Sequence, residues 1–355
     1  MTATPQDLAE LTGCPKKMTY GPCGGVRDDD SCELDARPCP FAGPDADLVR
    51  WTELPAAGVP QSAPPGEPAT APSSALLSAA ADGPVVLTDL TIPAYDAAGL
   101  AAVVRTLAGS CDAVLVGEHQ NRPDFPPALM AALVADAGGV PWVTLACRDR
   151  NRVVLEQELA GLAVAGADGV LCVTGDIRAQ GMRPGVSQVF DLDGTRLAAM
   201  AAASGHAVAV PEAPAAAPRH LRPARLVEKQ RAGAHLAVLN HVGSAAEVAA
   251  FVTAARGLGL TIPVIAGVAV YTDEPSARVL QNFPGLHLDD QQVERVLVAD
   301  DVRTAGVEHA LSEARAMLAI EGVAGVNLSG LGSGEGPMAG AQVKAEVGRR
   351  IREDR

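Results

Sequence analysis

Six polar clusters recur at one kind of place in this chain, directly after an apolar run. Asp89 ends "PVVLTD", Glu118 and His119 follow "DAVLVG", Arg148 and Asp149 follow "PWVTLAC", and Asp176 ends "DGVLCVTGD". Glu212 ends "HAVAVPE", and Asn240 with His241 follows "HLAVL". Carboxylates, guanidinium groups and an amide gathered in one place could move protons, hold an anion and recognise a heterocycle. The simpler reading is that each polar residue caps the next helix. That reading stays open for Asp149 and Glu212. It suits Asp176 less well, because "TGD" runs into the irregular "IRAQGMRPGVSQ".

A second group lies near the N-terminus, where Cys14, Cys23, Cys32 and Cys39 are separated by eight, eight and six residues, with Gly24-Gly25 among them. Four thiolates at this density suit a tetrahedral site for zinc, or an iron–sulfur cluster. Disulfides or four free thiols are the alternatives. Cys111, Cys147 and Cys172 lie in or beside apolar runs and are expected as small core residues in a reducing compartment.

The elements that must position these groups are short and regular. Strand-like runs stand at 84–89, 112–118, 141–147, 168–176, 206–212, 235–240, 262–268 and 323–330, which makes eight. Helical segments separate them, among them 96–108, 151–165, 222–233, 244–257 and 301–321. Near-continuous apolar strands alternating with helices predict a covered parallel sheet, and eight such units predict a (β/α)8 barrel. An open dinucleotide-binding sheet would show GxGxxG after its first strand, and "TDLTIPAYDAAG" has none. In a barrel the C-terminal strand ends share one face, so the polar clusters should converge there. Domains are expected as a Cys-rich module at 1–45, a Pro/Ala-rich linker at 46–80 and the barrel at 81–355.

Composition narrows the partners. The chain carries 42 Asp+Glu against 28 Lys+Arg, a formal charge of −14. That balance argues against nucleic acid or an anionic membrane. No apolar run approaches the roughly 20 residues of a membrane span, and "MTATPQDLAELTG" has no signal-peptide pattern. A cytoplasmic protein with a small-molecule substrate is expected.

The stretch "TLACRDRNRVVLEQELAGLAVAGADGVLCVTGD", continuing to "VFDLD", resembles the methylenetetrahydrofolate reductases of the acetogen and archaeal branch. "VEKQRAGAHLAVLN", "IPVIAGVAVYTDEPSARVLQNFPGLHLDD" and "GVAGVNLSGLG" follow in the same order. "CPKKMTYGPCGGVRDDDSCELDARPCPF" resembles the Cys-rich module that accompanies that branch. The resemblance implies a flavin, FAD or FMN, on the C-terminal face and a place in one-carbon metabolism and methionine biosynthesis. It implies that 5,10-methylenetetrahydrofolate is reduced to 5-methyltetrahydrofolate by hydride transfer from reduced flavin. Electrons would come from NAD(P)H or a partner protein, and the chain could form a homo-oligomer.

By the same resemblance Asp89 is the proton donor, and Asp176 lies beside the flavin ring. Arg148, Asp149, Arg150, Asn151, Glu118 and Lys229 belong to the cofactor site. Asn240 and Glu212 face substrate, and Cys14, Cys23, Cys32 and Cys39 are the metal ligands. From spacing alone, Lys229 reads as a solvated helix-face lysine. The chain departs from the family at several points: Asp89 stands for a glutamate, Asn240 for a glutamine, Thr144 for a histidine, and Gly117-Glu118 for a threonine–aspartate pair. That pattern suggests a retained cofactor site and a retuned substrate pocket. A paralogue acting on another C–N bond, a non-catalytic barrel that binds folate or a partner, and a pterin-dependent methyltransferase are the alternatives.

Overall fold

The eight apolar runs are the eight strands of one closed, all-parallel sheet. The computed structural model describes residues 13–43, 46–51, 72–118, 122–176, 185–283 and 286–354. The strands are β1 (Val85–Leu90), β2 (Ala113–Val116), β3 (Pro141–Ala146), β4 (Gly169–Val173), β5 (Val208–Glu212), β6 (Leu236–Leu239), β7 (Val264–Tyr271) and β8 (Val323–Gly332). Each pairs with its neighbour in sequence, and β8 closes onto β1 at Val85↔Gly325 to Thr88↔Leu328. The expected (β/α)8 barrel is the observed fold.

Successive strand residues point to opposite faces, and this alternation sorts the core in two. Val85, Leu87, Leu115, Trp142, Leu171 and Ile265 belong to one cluster, filling the ring. Val86, Val114, Val143, Val170 and Val208 belong to another, packed on helix residues such as Leu100, Leu155 and Leu197. With few aromatics, the core is a sum of many small burials, each Val or Leu contributing about 1.5–3 kcal/mol. Continuing the inner alternation past the apolar layers brings Asp89, Thr144, Asn240 and Asn327 to the inner face at the C-terminal rim.

The opposite end is sealed by α1 (Ala75–Asp82), whose Leu76 joins the inner cluster. Asp168, just before β4, fastens it by accepting from Ser74 Oγ (2.8 Å), Ala75 N (2.6 Å) and Trp142 Nε1 (2.6 Å). A helix therefore stands where the linker was expected to end at residue 80, and it belongs to the barrel. Residues 52–71 of that linker lie outside the described residues.

The Cys-rich segment folds against the barrel. Its interior is small, with Met18, Tyr20, Val26 and Phe41 buried. Arg27 substitutes for a larger core by donating to Ser31 Oγ (3.2 Å) and to the carbonyls of Cys32, Glu33 (2.7 Å) and Asp35 (2.9 Å). Thr19 N donates to Asp193 Oδ2 (3.0 Å) and Lys17 Nζ to the Val189 carbonyl (3.0 Å), both on the barrel.

Candidate functional site

At the C-terminal ends of β3 to β6 the barrel opens into a cavity of about 320 Å³. Thr144, Arg148, Asp176, Glu212, Lys229 and Asn240 line it, together with Glu118 and Arg225. The expected convergence of strand-end groups is therefore observed for β2 to β6. The N-terminal segment closes the wall with Lys16, Cys23 and Gly24.

Each group is held by a local device. Gly175 adopts φ +91°, and a Cβ there would lie 2.9 Å from Arg148 Cβ. A glycine is needed for both reasons, and it lets the "TGD" turn lie against Arg148, whose Nη1 reaches the Asp176 carbonyl (3.3 Å). Asp149 Oδ2 accepts from Nε and Nη2 of Arg148, both at 3.0 Å. Glu118 accepts from Ala146 N (2.9 Å) and takes Arg150 Nη1 on both oxygens (2.8 and 2.9 Å). Asn151 instead caps the helix α4 (Arg152–Val164), accepting from Val154 N at 3.0 Å, and does not line the cavity. The Glu118–Arg150 pair forms a partition, with a second cavity of about 460 Å³ beyond it, lined by Arg122, Phe125, Asp149 and Arg150.

Glu212 is no helix cap. It is buried and bonded to Arg225 (2.9 Å), Lys229 (2.9 Å) and Arg222 (3.4 Å), all from the helix α6 (Arg222–Arg231) and all buried. Burial opposes the charge on Glu212, but these three cations outweigh it and hold the carboxyl far below its ordinary range. Burial and the neighbouring Arg225 pull Lys229 down to about 7, against the opposing pull of Glu212. The solvated reading of Lys229 is thus corrected, since the helix turns its basic stripe inward to a carboxylate that spacing alone does not reveal. Three cations against one anion leave positive charge at the wall, and Arg225 Nε is buried without a hydrogen-bond partner. Arg222 also donates to the carbonyls of Pro22 (3.3 Å) and Cys23 (2.8 Å), clamping the Cys-rich segment to the site.

Asp89 stands apart. It reaches the inner rim on β1, where Asn327 Nδ2 donates to its Oδ1 (2.9 Å), but it lines neither cavity. Lys344 Nζ donates to its main-chain carbonyl (2.8 Å), and burial lowers this lysine to about 8 against the attraction of Asp89. His119 lies outside the described residues.

Cys14, Cys23, Cys32 and Cys39 share one small pocket with Lys16 and Arg37. Burial raises the thiols of Cys14 and Cys39. Among the described residues no three His, Cys, Asp or Glu are placed to hold a metal ion. The expected ligand set is gathered in one place, but among the described residues it lacks the geometry to coordinate a metal. Of the other cysteines, Cys147 and Cys172 are buried in the core as expected. No helix among the described residues is long and apolar enough to cross a membrane.

Sequence reasoning missed Lys16, Arg222 and Arg225. The last two repeat with Lys229 at i, i+3 and i+7 in "RPARLVEK", a one-sided basic stripe that was a usable signal. Lys16 had none, because only the packing of the segment brings it to the mouth.

Known proteins share parts of this arrangement. Residues 6–50 match the family described as "Methylene-tetrahydrofolate reductase C terminal". No curated protein matches the chain in sequence. An uncharacterized protein from Clostridium thermocellum, described as binding two copies of 5-methyl-5,6,7,8-tetrahydrofolic acid, aligns in structure with a TM-score of 0.60 at 12% identity, covering 79% of this chain and all of that one. Oxaloacetate acetylhydrolase (TM-score 0.45, 14% identity, 81% of this chain and 86% of that one) and a putative lyase/mutase from Burkholderia cenocepacia (0.43, 18%, 78% and 84%) align more loosely. The chain thus joins a (β/α)8 barrel to an N-terminal segment that matches the methylene-tetrahydrofolate reductase C-terminal family.

Proposed function

We propose that the barrel mouth binds a tetrahydrofolate one-carbon derivative and that, with a flavin, the protein interconverts its methylene and methyl forms. One observation carries the reading. The segment that matches the reductase family supplies Lys16, Cys23 and Gly24 to the same cavity as Asp176, Thr144 and Asn240. The C. thermocellum barrel that binds two 5-methyltetrahydrofolate molecules supports the ligand class. Two adjoining cavities, divided by Glu118 and Arg150, give room for an extended ligand or for two.

A flavin fits the residues at its phosphate end. Arg225 and Lys229 line the cavity side by side and would present positive charge to an anionic oxygen. Such a group, when bound, would supply the hydride. The protein's own part is to orient and to move a proton. Asn240 presents both a donor and an acceptor to a pterin edge, and Asp176 faces the cavity from the "TGD" turn. Asp89, oriented by Asn327, is the candidate proton donor to the substrate nitrogen whose C–N bond opens. Its place outside the cavity lining makes a folate-binding barrel without reductase activity the second reading.

The test is calorimetric titration of purified protein with 5-methyltetrahydrofolate, then anaerobic mixing of flavin-loaded, reduced protein with methylenetetrahydrofolate. Binding with flavin reoxidation supports the proposal. Binding without reoxidation selects the second reading, and no binding of either folate overturns both.

A further inference from the structure

The end of β6, which presents Asn240 to the mouth, is held differently on its two sides. Toward β5 the backbone does it, with Glu212 paired to Leu239 and Asn240 N donating to the Glu212 carbonyl (2.8 Å). Toward β7 the ladder stops early, at Ala237↔Val264 and Val238↔Ile265. Beyond it a side-chain bridge takes over. His241 Nε2 meets Glu313 Oε1 (2.6 Å) on the helix α10 (Val302–Leu318), and Glu313 Oε2 accepts from Ala269 N on β7 (3.1 Å). His241 Nδ1 meets the His287 carbonyl (2.7 Å).

Both partners of the His241 ring are acceptors. A neutral imidazole has one N–H and can satisfy one of them; the imidazolium satisfies both. A buried acceptor left unpaired costs about 1–3 kcal/mol; these two are partly buried and lose part of that, so the geometry favours the charged ring. Burial alone would lower His241, but the charge and hydrogen bond of Glu313 outweigh it and raise it. Two other titratable groups nearby also feel Glu313, but neither makes a hydrogen bond to the carboxylate. His309, on the same helix, is lowered by burial, with Glu313 opposing and the charge of His241 adding to the fall. Its ring is tilted against that of Tyr271 with centroids 5.7 Å apart, and burial and Glu313 raise Tyr271. Asp289 and Arg295 act on both of these groups with opposite signs.

We infer that His241 is a positioning residue. As an imidazolium clamped by Glu313 it fixes the end of β6 and hence Asn240, so the grip on ligand loosens when the ring loses its proton. The affinity arm of this inference rests on the proposed ligand reading; the protonation arm does not. The folded state holds this proton more tightly than the unfolded chain does. The clamp is therefore complete below the ordinary value of 6.5 and is lost as pH climbs through the raised one.

The full chain, labelled at histidine nitrogen, is compared with Glu313→Gln, which keeps the shape and removes the charge. Lys229 titrates in the same range and is common to both proteins, so the difference between them is the readout. At about pH 6.5 the variant should bind 5-methyltetrahydrofolate about tenfold more weakly, and by about pH 9 the two should converge. Equal affinities at the lower pH, or a gap that persists at the higher one, overturn the positioning role. The nitrogen spectrum reports the protonation state whether or not a ligand binds. A neutral His241 at about pH 6.5 overturns the inference. An imidazolium in a protein that binds no folate supports the clamp and counts against the ligand reading.

Discussion

Replacing Glu212 by glutamine tests the charge cluster that shapes the mouth. The carboxylate is 2% exposed and holds three buried cations at 2.9, 2.9 and 3.4 Å. Removing one partner of a buried pair costs about 3–5 kcal/mol because charge is left uncompensated. Here the loss is tempered, since Lys229 already stands at about 7 and would be neutral at that pH once Glu212 is gone. Two buried arginines then lack a counter-charge, and a loss of about 3 kcal/mol is expected at neutral pH. As pH falls through about 7 the folded wild-type lysine gains the charge it has in the unfolded chain, so its slope fades. In the variant the folded lysine stays neutral, and each further pH unit adds about 1.4 kcal/mol to the difference. Glu212 itself, lowered by its partners, contributes its stabilisation above its unfolded value of 4.5, so measurements above about pH 5.5 leave that part constant. Urea unfolding followed by the fluorescence of buried Trp142 measures both quantities. A loss under about 1 kcal/mol, or a difference that stays flat from about pH 7 to 6, refutes the argument.

Three further outcomes are expected. Asp89→Asn should leave 5-methyltetrahydrofolate affinity within about threefold and lower any reductase rate by about a hundredfold or more; stopped-flow flavin reoxidation reads this. Gly175→Ala forces a side chain into φ +91° against Arg148 and should cost about 1–3 kcal/mol and weaken ligand binding, measured by urea unfolding and calorimetry. Asp168→Ala removes the acceptor shared by Ser74, Ala75 and Trp142 and should cost about 2–4 kcal/mol, with faster hydrogen exchange confined to α1 and the barrel bottom.

Much of this was legible in the chain because strand and helix signals are local. All eight apolar runs became strands within a few residues of their expected bounds, and Cys147 and Cys172 were core. The site was legible in kind and less so in membership. Arg148, Asp176 and Asn240 face one cavity as expected, whereas Asn151 caps a helix and Asp89 pairs with Asn327 outside the cavity. α1 was hidden because the Pro/Ala texture around it has no apolar period, and its place is set by Asp168, some 90 residues later in the chain.

The sequence by itself determined the barrel, since eight near-continuous apolar runs separated by helices can bury both faces of their strands in few other ways. It also determined which face carries the polar groups, because each follows its strand directly. Tertiary structure alone decided that the Cys-rich segment is a wall of the barrel mouth, that Lys229 is buried and that His241 faces two acceptors. Those facts depend on contacts between residues far apart in the chain, such as Cys23 with Arg222 and His241 with Glu313. Burial and charge pairing arise only when such partners meet, and no local pattern encodes the meeting.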